Sequence, residues 1–287
     1  MATTKVITDL TDLNQANSES GLRMPTGGAF SGTPAEGMMR NDTTQASEGS
    51  ASTMQHYNGT DWKNFVNTAQ CTTTTCDYPA SVGSTALYQM DSNSNDTCNN
   101  YTPLTETSIT YNTSVKKYGT SSAQFNGSSS FISLPSGINT NNNFTWSFWI
   151  NFTAMTQYDT PIGFFMNGFT NFIDMVSVGQ LSFYDGNSRL NTPSSTFATG
   201  GWYHVAVTKS STAGRKFYVN GSEVASDSVN TNSGSSSGGR NLFGAYSSSG
   251  NPTSTAFELN GYLDQVRFYT TALSAANITL LANEVGC

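Results

Sequence analysis

"GGWYHVAVTKSSTAGRKFYVNGSEVAS" (Gly200–Ser226) is the stretch on which the fold turns. Its first half alternates. Tyr203, Val205 and Val207 point one way, while Trp202, His204 and Ala206 point the other, the period of two that a strand requires. "RKFYVN" resumes as a second strand, and Asn220-Gly221 closes it. Asn-Gly is the strongest short-range hairpin signal, because a type I′ turn needs positive φ at both central positions. Working outward, "FTWSFWINF" (Phe144–Phe152) repeats the alternation, with Phe144, Trp146, Phe148 and Ile150 opposite Thr145, Ser147, Trp149 and Asn151. Further strands are expected in "TALYQM", "SSFISL", "NFIDMVSV", "QLSFYD", "NLFGAY" and "YLDQVRFY". Many short strands between Gly, Asn and Ser turns predict an all-β sandwich over residues 83–287. Only "LSAANITLLANE" (Leu273–Glu284) suits a helix, with Ser274 as its cap and Gly286 just past its end.

Composition narrows the function. The chain has 287 residues, of which only 11% are charged, and a net charge of −7 with 12 Lys and Arg. Nucleic-acid binding needs clustered cations that displace counterions from phosphates, and none cluster here. No run is long and apolar enough to span a bilayer, so no membrane insertion is expected. "MATTKVITDL" carries no apolar secretion core, and the many Asn-x-Ser/Thr triplets, Asn58 and Asn220 among them, are read as composition. Of the four cysteines, Cys71 and Cys76 in "CTTTTC" lack redox or zinc spacing. A disulfide-closed loop formed in an oxidising medium and free thiols both stay open, as they do for Cys98 and Cys287.

Residues 1–65 form a second kind of segment. "GLRMPTGGAFSGTPAEGMMRNDT" is punctuated by Pro25, Pro34 and glycines and reads as extended, turn-rich chain. "STMQHYNGTDWKNF" then reads as a β-hairpin, whose Tyr57 and Trp62 the thin segment cannot bury by itself. Residues 66–82, with their Thr runs, read as a linker.

Five segments, in order, resemble one family. They are "TALYQMDSNSNDTCNNY", "YGTSSAQFNGSSSFISLP", "NNNFTWSFWINF", the opening hairpin, and "LNGYLDQVRFYTTALSAANITLLANE". Together they resemble the laminin-G-like domain, a concanavalin A-like jelly-roll β-sandwich, over residues 83–287. The N-terminal "GLRMPTG…FSGTPAEGMMRNDT…MQHYNGTDWKNF" resembles a short segment of marine bacteriophage tail, fibre and other virion proteins. That likeness makes Tyr57 and Trp62 candidate docking residues.

The jelly-roll resemblance implies carbohydrate binding, and sugar sites pair an aromatic face with amide and carboxylate groups. "FYDGNSR" supplies Tyr184, Asp185, Asn187 and Arg189, with an ordinary type I′ turn at Asp185-Gly186 as the competing reading. Tyr158 and Asp159, then Asn167, Phe169 and Asn171, and then Phe243, Tyr246 and Asn251 are further loop candidates. In the resembled fold the first and last strands run side by side, so Asp264 is expected near Asp91. That would assemble oxygen ligands suited to calcium, beside Asn93, Asn95 and Asp96. A glycosidase on this fold needs two carboxylates set across the scissile bond. Glu106, Glu223, Glu258 and Glu284 are scattered, and His56 and His204 belong to no catalytic spacing, so no enzyme is expected.

The expected function is that of a bacteriophage virion component: fibre, tail or head decoration. Its N-terminal module attaches to capsid, portal or tail proteins, and its jelly roll binds host-surface glycans. The expected location is the virion surface after assembly in the host cytoplasm, as a homo-oligomer in which a trimer is natural. A purely structural cement protein is the alternative, and a glycan-degrading enzyme the third.

Overall fold

The computed structural model describes residues 39–42, 53–57, 62–64, 76, 78–79, 82–138, 143–166, 169–230, 241–247 and 257–284. The chain divides into two units, Met1–Gln70 and Cys71–Cys287. In the first, β1 (Met39–Asp42), β2 (Thr53–Tyr57) and β3 (Trp62–Asn64) form an antiparallel sheet in the order β1-β2-β3. Tyr57 and Trp62 are direct register partners, so the expected hairpin forms.

The second unit holds β4 (Ala86–Tyr88), β5 (Thr105–Thr107), β6 (Thr110–Asn112), β7 (Ser122–Asn126), β8 (Phe131–Leu134), β9 (Phe144–Phe152), β10 (Ile162–Met166) and β11 (Phe169–Ser177). It continues with β12 (Gln180–Tyr184), β13 (Arg189–Asn191), β14 (Trp202–Ser210), β15 (Gly214–Val219), β16 (Ser222–Asp227), β17 (Asn241–Phe243), β18 (Asn260–Tyr269) and α1 (Ala275–Ala282). One sheet runs β13-β12-β11-β10-β17-β8-β5. The other runs β16-β15-β14-β9-β18-β7-β6, with β4 added against β18. The strands pair antiparallel throughout, which makes the unit an all-β jelly-roll sandwich.

Period-two alternation builds the core. Phe144, Trp146, Phe148, Ile150 and Phe152 of β9 meet Ile162 and Phe164 of β10, Ile173 and Met175 of β11, and Leu181 and Phe183 of β12. Trp146 lies edge-on to Phe164, Phe183 and Phe268, at centroid distances of 4.7, 5.6 and 6.1 Å, arrangements that aromatic quadrupoles favour. All nine residues of β9 are buried, including the face expected to be more polar. The outer face is covered too: Thr145 bonds the Thr271 carbonyl, Ser147 bonds His204, and Trp149 lies edge-on to Tyr118 at 5.8 Å beneath Lys117, while α1 packs Ile278 and Leu281 with Ala206, Tyr218, Tyr269 and Leu273 beside them. Ser274 caps α1 and accepts a bond from the Asn277 N–H. The helix stops at Asn283, because Glu284 turns inward to pair with Arg267.

Asn220 and Gly221 have φ of 49° and 82°, the type I′ signature expected of them. Asp185-Gly186 does not: only Gly186 has positive φ. There the Asp185 carboxylate organises the loop, accepting the Asn187 and Ser188 N–H groups. Cys76 and Cys98 form a disulfide. The bridge and two bonds of Tyr78, its hydroxyl to the Leu280 carbonyl and its carbonyl from the Tyr269 hydroxyl, fasten part of the expected linker to the sandwich.

Candidate functional site

On β11, Ile173 and Met175 enter the core, so Phe172 and Asp174 must point outward. By the same parity Tyr184 points outward from β12 and Arg189 from β13, since Phe183 and Leu190 are core residues. Register then sets Phe172, Tyr184 and Arg189 abreast on three neighbouring strands. The Arg189 guanidinium lies over both rings, 5.3 Å from Phe172 and 5.4 Å from Tyr184. It engages both oxygens of Asp174, with Nη1–Oδ1 at 2.5 Å and Nη2–Oδ2 at 3.0 Å. Burial pushes the Asp174 carboxyl above its ordinary range, and Arg189 opposes that rise.

Loops complete a pocket of about 200 Å³, lined by Tyr158, Thr160, Phe172, Asp174, Arg189, Tyr246 and Phe257. Tyr158 and Phe257 hold φ of 76° and 60°, uncommon for bulky residues and clustered at functional sites. Backbone bonds keep them there: the Tyr158 N–H donates to the Met175 carbonyl, and the Thr160 N–H to the Phe257 carbonyl. Their rings meet at 5.3 Å and stay 40% and 45% exposed, forming an open aromatic rim. Gly163 lets Tyr246 sit close, because a Cβ there would lie 2.7 Å from the Ala245 carbonyl oxygen.

Of the expected sugar-site residues, Tyr158, Tyr246 and Arg189 line this pocket, and Tyr184 backs it with its ring 5.0 Å from that of Phe172, whereas Phe243 is a fully buried core residue and not a loop candidate. Asp185 does not belong to it. It is fully buried and pairs with Arg215 at 3.1 Å and Lys209 at 3.5 Å, where no ligand reaches. Asn187 is exposed on the same turn and lies outside the lining. Asn167, and the side chains of Tyr57 and Trp62, fall outside the described residues. Sequence reasoning missed Phe172, Asp174, Thr160 and Phe257. The available signal was Asp174, a charge at outward parity inside an apolar strand.

Asp91 and Asp264 converge from the other side of the molecule. The first and last sandwich strands do run side by side, Leu87 opposite Arg267. Asp91 is near enough to raise the Asp264 pKa, which burial pushes up to about 8 against amide bonds from Lys117 and Tyr118. Asp264 Oδ2 accepts those two N–H groups, while Oδ1 is buried without a hydrogen-bond partner. Asp91 Oδ1 accepts from the Thr120 and Ser121 N–H groups, and a Cβ on Gly119 would overlap it. Carboxylate oxygens are the ligand type calcium takes, but among the described residues no group of three or more His, Cys, Asp or Glu side chains gathers here or elsewhere to hold a metal. Asp96 is excluded, since both its oxygens accept two backbone N–H groups each. His204 is structural as expected: 1% exposed, with Nε2 on Ser147 Oγ at 2.8 Å.

An antiparallel jelly roll with an aromatic, ion-paired pocket on one sheet face is a lectin-like sandwich of the concanavalin A class. The chain belongs to the concanavalin A-like lectin/glucanases superfamily, whose laminin-G-type family model matches residues 126–279. The structure is similar to domain 4 of AbnA, a GH43 extracellular arabinanase from Geobacillus stearothermophilus solved in complex with arabinotriose. There the identity is 22% and the TM-score 0.54, covering 70% of this chain and 99% of that one. It is also similar to the binding domain of Paraclostridial Mosquitocidal Protein 1 (19%, TM-score 0.53, 69% and 51%). The botulinum neurotoxin type G receptor binding domain is a third likeness (14%, TM-score 0.53, 69% and 50%). The chain spans about half the length of these two toxin domains. No curated protein matches it.

Proposed function

We propose that the sandwich is a non-catalytic glycan-binding domain, and that the whole chain serves a bacteriophage virion as a host-adhesion protein. The observation that carries the first part is the pocket. It combines an exposed aromatic rim, Tyr158 and Phe257, with a fixed donor–acceptor pair, Arg189 and Asp174. Aromatic faces receive the apolar face of a sugar, while a few placed polar groups orient it. The arabinotriose complex of the AbnA domain and the receptor-binding role in the toxin domain's name are consistent with this reading. Asp174 is the one carboxylate among the described lining residues and is held by Arg189, whereas glycoside hydrolysis needs two. On a glycan array the full chain is expected to bind. Tyr158→Ala with Phe257→Ala is expected to weaken that binding at least about tenfold, since one aromatic contact contributes ~1 kcal/mol. Equal binding by the double variant would remove the pocket from the function, and turnover of a polysaccharide would make the chain an enzyme.

The virion reading rests on the N-terminal resemblance and on the hairpin that pairs Tyr57 with Trp62. In it the N-terminal unit docks on capsid, portal or tail protein, and the chain assembles as a homo-oligomer, a trimer for a fibre. Weak single sites then gain avidity from many copies on one particle. A mass-spectrometric inventory of purified particles is expected to contain the protein, and Trp62→Ala to lower its incorporation. Normal incorporation of the variant would sink docking through this hairpin.

A calcium ion, held by Asp91 and Asp264, would tie the loop after β4 to β18. Chelator is then expected to lower the melting temperature by several degrees, roughly what ~1–2 kcal/mol does in a domain this size. Calcium should restore it, and an unchanged melting curve would count against the ion.

A further inference from the structure

The charge state of the pocket carries the reading further, to the class of sugar; this step rests on the pocket being the glycan site. Arg189 is its only cation among the described lining residues, and that cation is already neutralised. The pairing is fork to fork, a geometry that fixes direction as well as charge. Phe172 and Tyr184 brace the guanidinium, and the Tyr184 hydroxyl is itself anchored on the Gly186 carbonyl. The Asp174 side chain is only 4% exposed. Swinging Arg189 out to grip a ligand carboxylate would strand a buried anion, which proteins do not tolerate without a partner.

What the pair still offers is both kinds of hydrogen bond side by side. The guanidinium keeps N–H groups not used on Asp174, and the carboxylate keeps free lone pairs. Two neighbouring hydroxyls on one ring match that array, one accepting from Arg189 and the other donating to Asp174. Tyr158 and Phe257 supply the surface for the ring's apolar face. The cavity of about 200 Å³ lies below the ~300–1,000 Å³ of sites for drug-sized ligands, which suits a single ring. We infer that the pocket selects one neutral sugar residue bearing a vicinal diol and discriminates against sugars that carry a carboxylate.

The test is calorimetric titration of the full chain with two matched families of methyl glycosides, the neutral hexosides and the corresponding uronides. A ring bound in its neutral form is expected to bind at least tenfold tighter than its uronide, and deoxygenation of either diol hydroxyl to abolish binding. Asp174→Asn frees the guanidinium and should shift the neutral-to-uronide ratio at least tenfold toward the acid. Arg189→Gln, which removes both the charge and the donors, should lose both ligands. Circular dichroism of each variant confirms folding, and the wild-type comparison stands without them. Wild-type binding of the uronide as tightly as the neutral ring would overturn the neutral-diol inference while leaving glycan binding intact. Retention of all glycan binding by the Tyr158→Ala, Phe257→Ala variant would instead overturn the pocket assignment beneath it.

Discussion

Arg215→Ala is expected to destabilise the sandwich by about 3–5 kcal/mol, the range for removing one partner of a buried pair. Arg215 and Asp185 are both fully buried. The guanidinium lies 3.1 Å from Asp185 Oδ2 and donates to the Ser188 carbonyl at 3.0 Å and to Ser188 Oγ at 3.1 Å. Its Nε donates to Asp227 Oδ1 at 3.1 Å. One side chain of β15 therefore fastens the β12–β13 turn of the opposite sheet, which also presents Arg189 to the pocket. Without it Asp185 keeps the Asn187 and Ser188 N–H groups but, among the ion pairs described, only one cation, Lys209 at 3.5 Å, whose own ammonium is disfavoured by burial. The measurement is the urea midpoint at constant m-value. Asp185→Asn combined with Lys209→Met and Arg215→Met should recover part of the loss, because no charge of this buried cluster is then left without its partner. If Arg215→Ala unfolds at the wild-type midpoint, the turn is held by its own Asx bonds and the pair adds nothing. A secondary loss of glycan binding in the surviving folded fraction would show that the turn also positions Arg189.

Asp185 also shows where reading the sequence stops. "YDGN" has the composition of an exposed turn, and nothing within a dozen residues says otherwise. The burial comes from Arg215 and Lys209, which reach the turn only because β14 and β15 close the sandwich at that end. Strand alternation, by contrast, is local. Phe144–Phe152 and the Asn220-Gly221 turn were legible because each residue's neighbours at i±2 state its face. The candidate site was half legible for the same reason. Tyr158 and Arg189 advertise themselves as an aromatic and a cation beside turns. Asp174 hides within the strand "NFIDMVSV", and its partner lies two strands away across β12. Phe257 reaches Tyr158 through loop packing that no periodicity encodes. The Asp91–Asp264 approach followed from strand adjacency in the resembled fold, which the β4–β18 pairing bears out.

His204 is expected to make the fold acid-sensitive. The imidazole lies on β14 between Ser147 and Trp149 of β9 and is held neutral there. Burial lowers its pKa to about 3, and the positive charges of Arg267 and Lys117 push the same way. In the unfolded chain it titrates near ~6.5. Between those values the unfolded state binds the extra proton, so this residue's contribution is complete above ~6.5 and is lost as pH falls toward 3. From pH 7 to pH 5 the loss comes to about 2 kcal/mol, roughly 1.4 kcal/mol for each pH unit below 6.5. Asp264, on β18 beyond Trp149, acts with the opposite sign. With its carboxyl pushed up to about 8, protonation favours the fold as pH falls, unless a bound cation keeps it ionised. The two effects mask one another in the wild type, so the decisive quantity is a difference. His204→Gln keeps a hydrogen-bonding partner for Ser147 and removes the titration. The stability of the wild type minus that of the variant should therefore shrink by about 2 kcal/mol between pH 7 and pH 5. A gap that stays constant over that range would mean His204 titrates alike in both states, and that the protein interior accepts its proton.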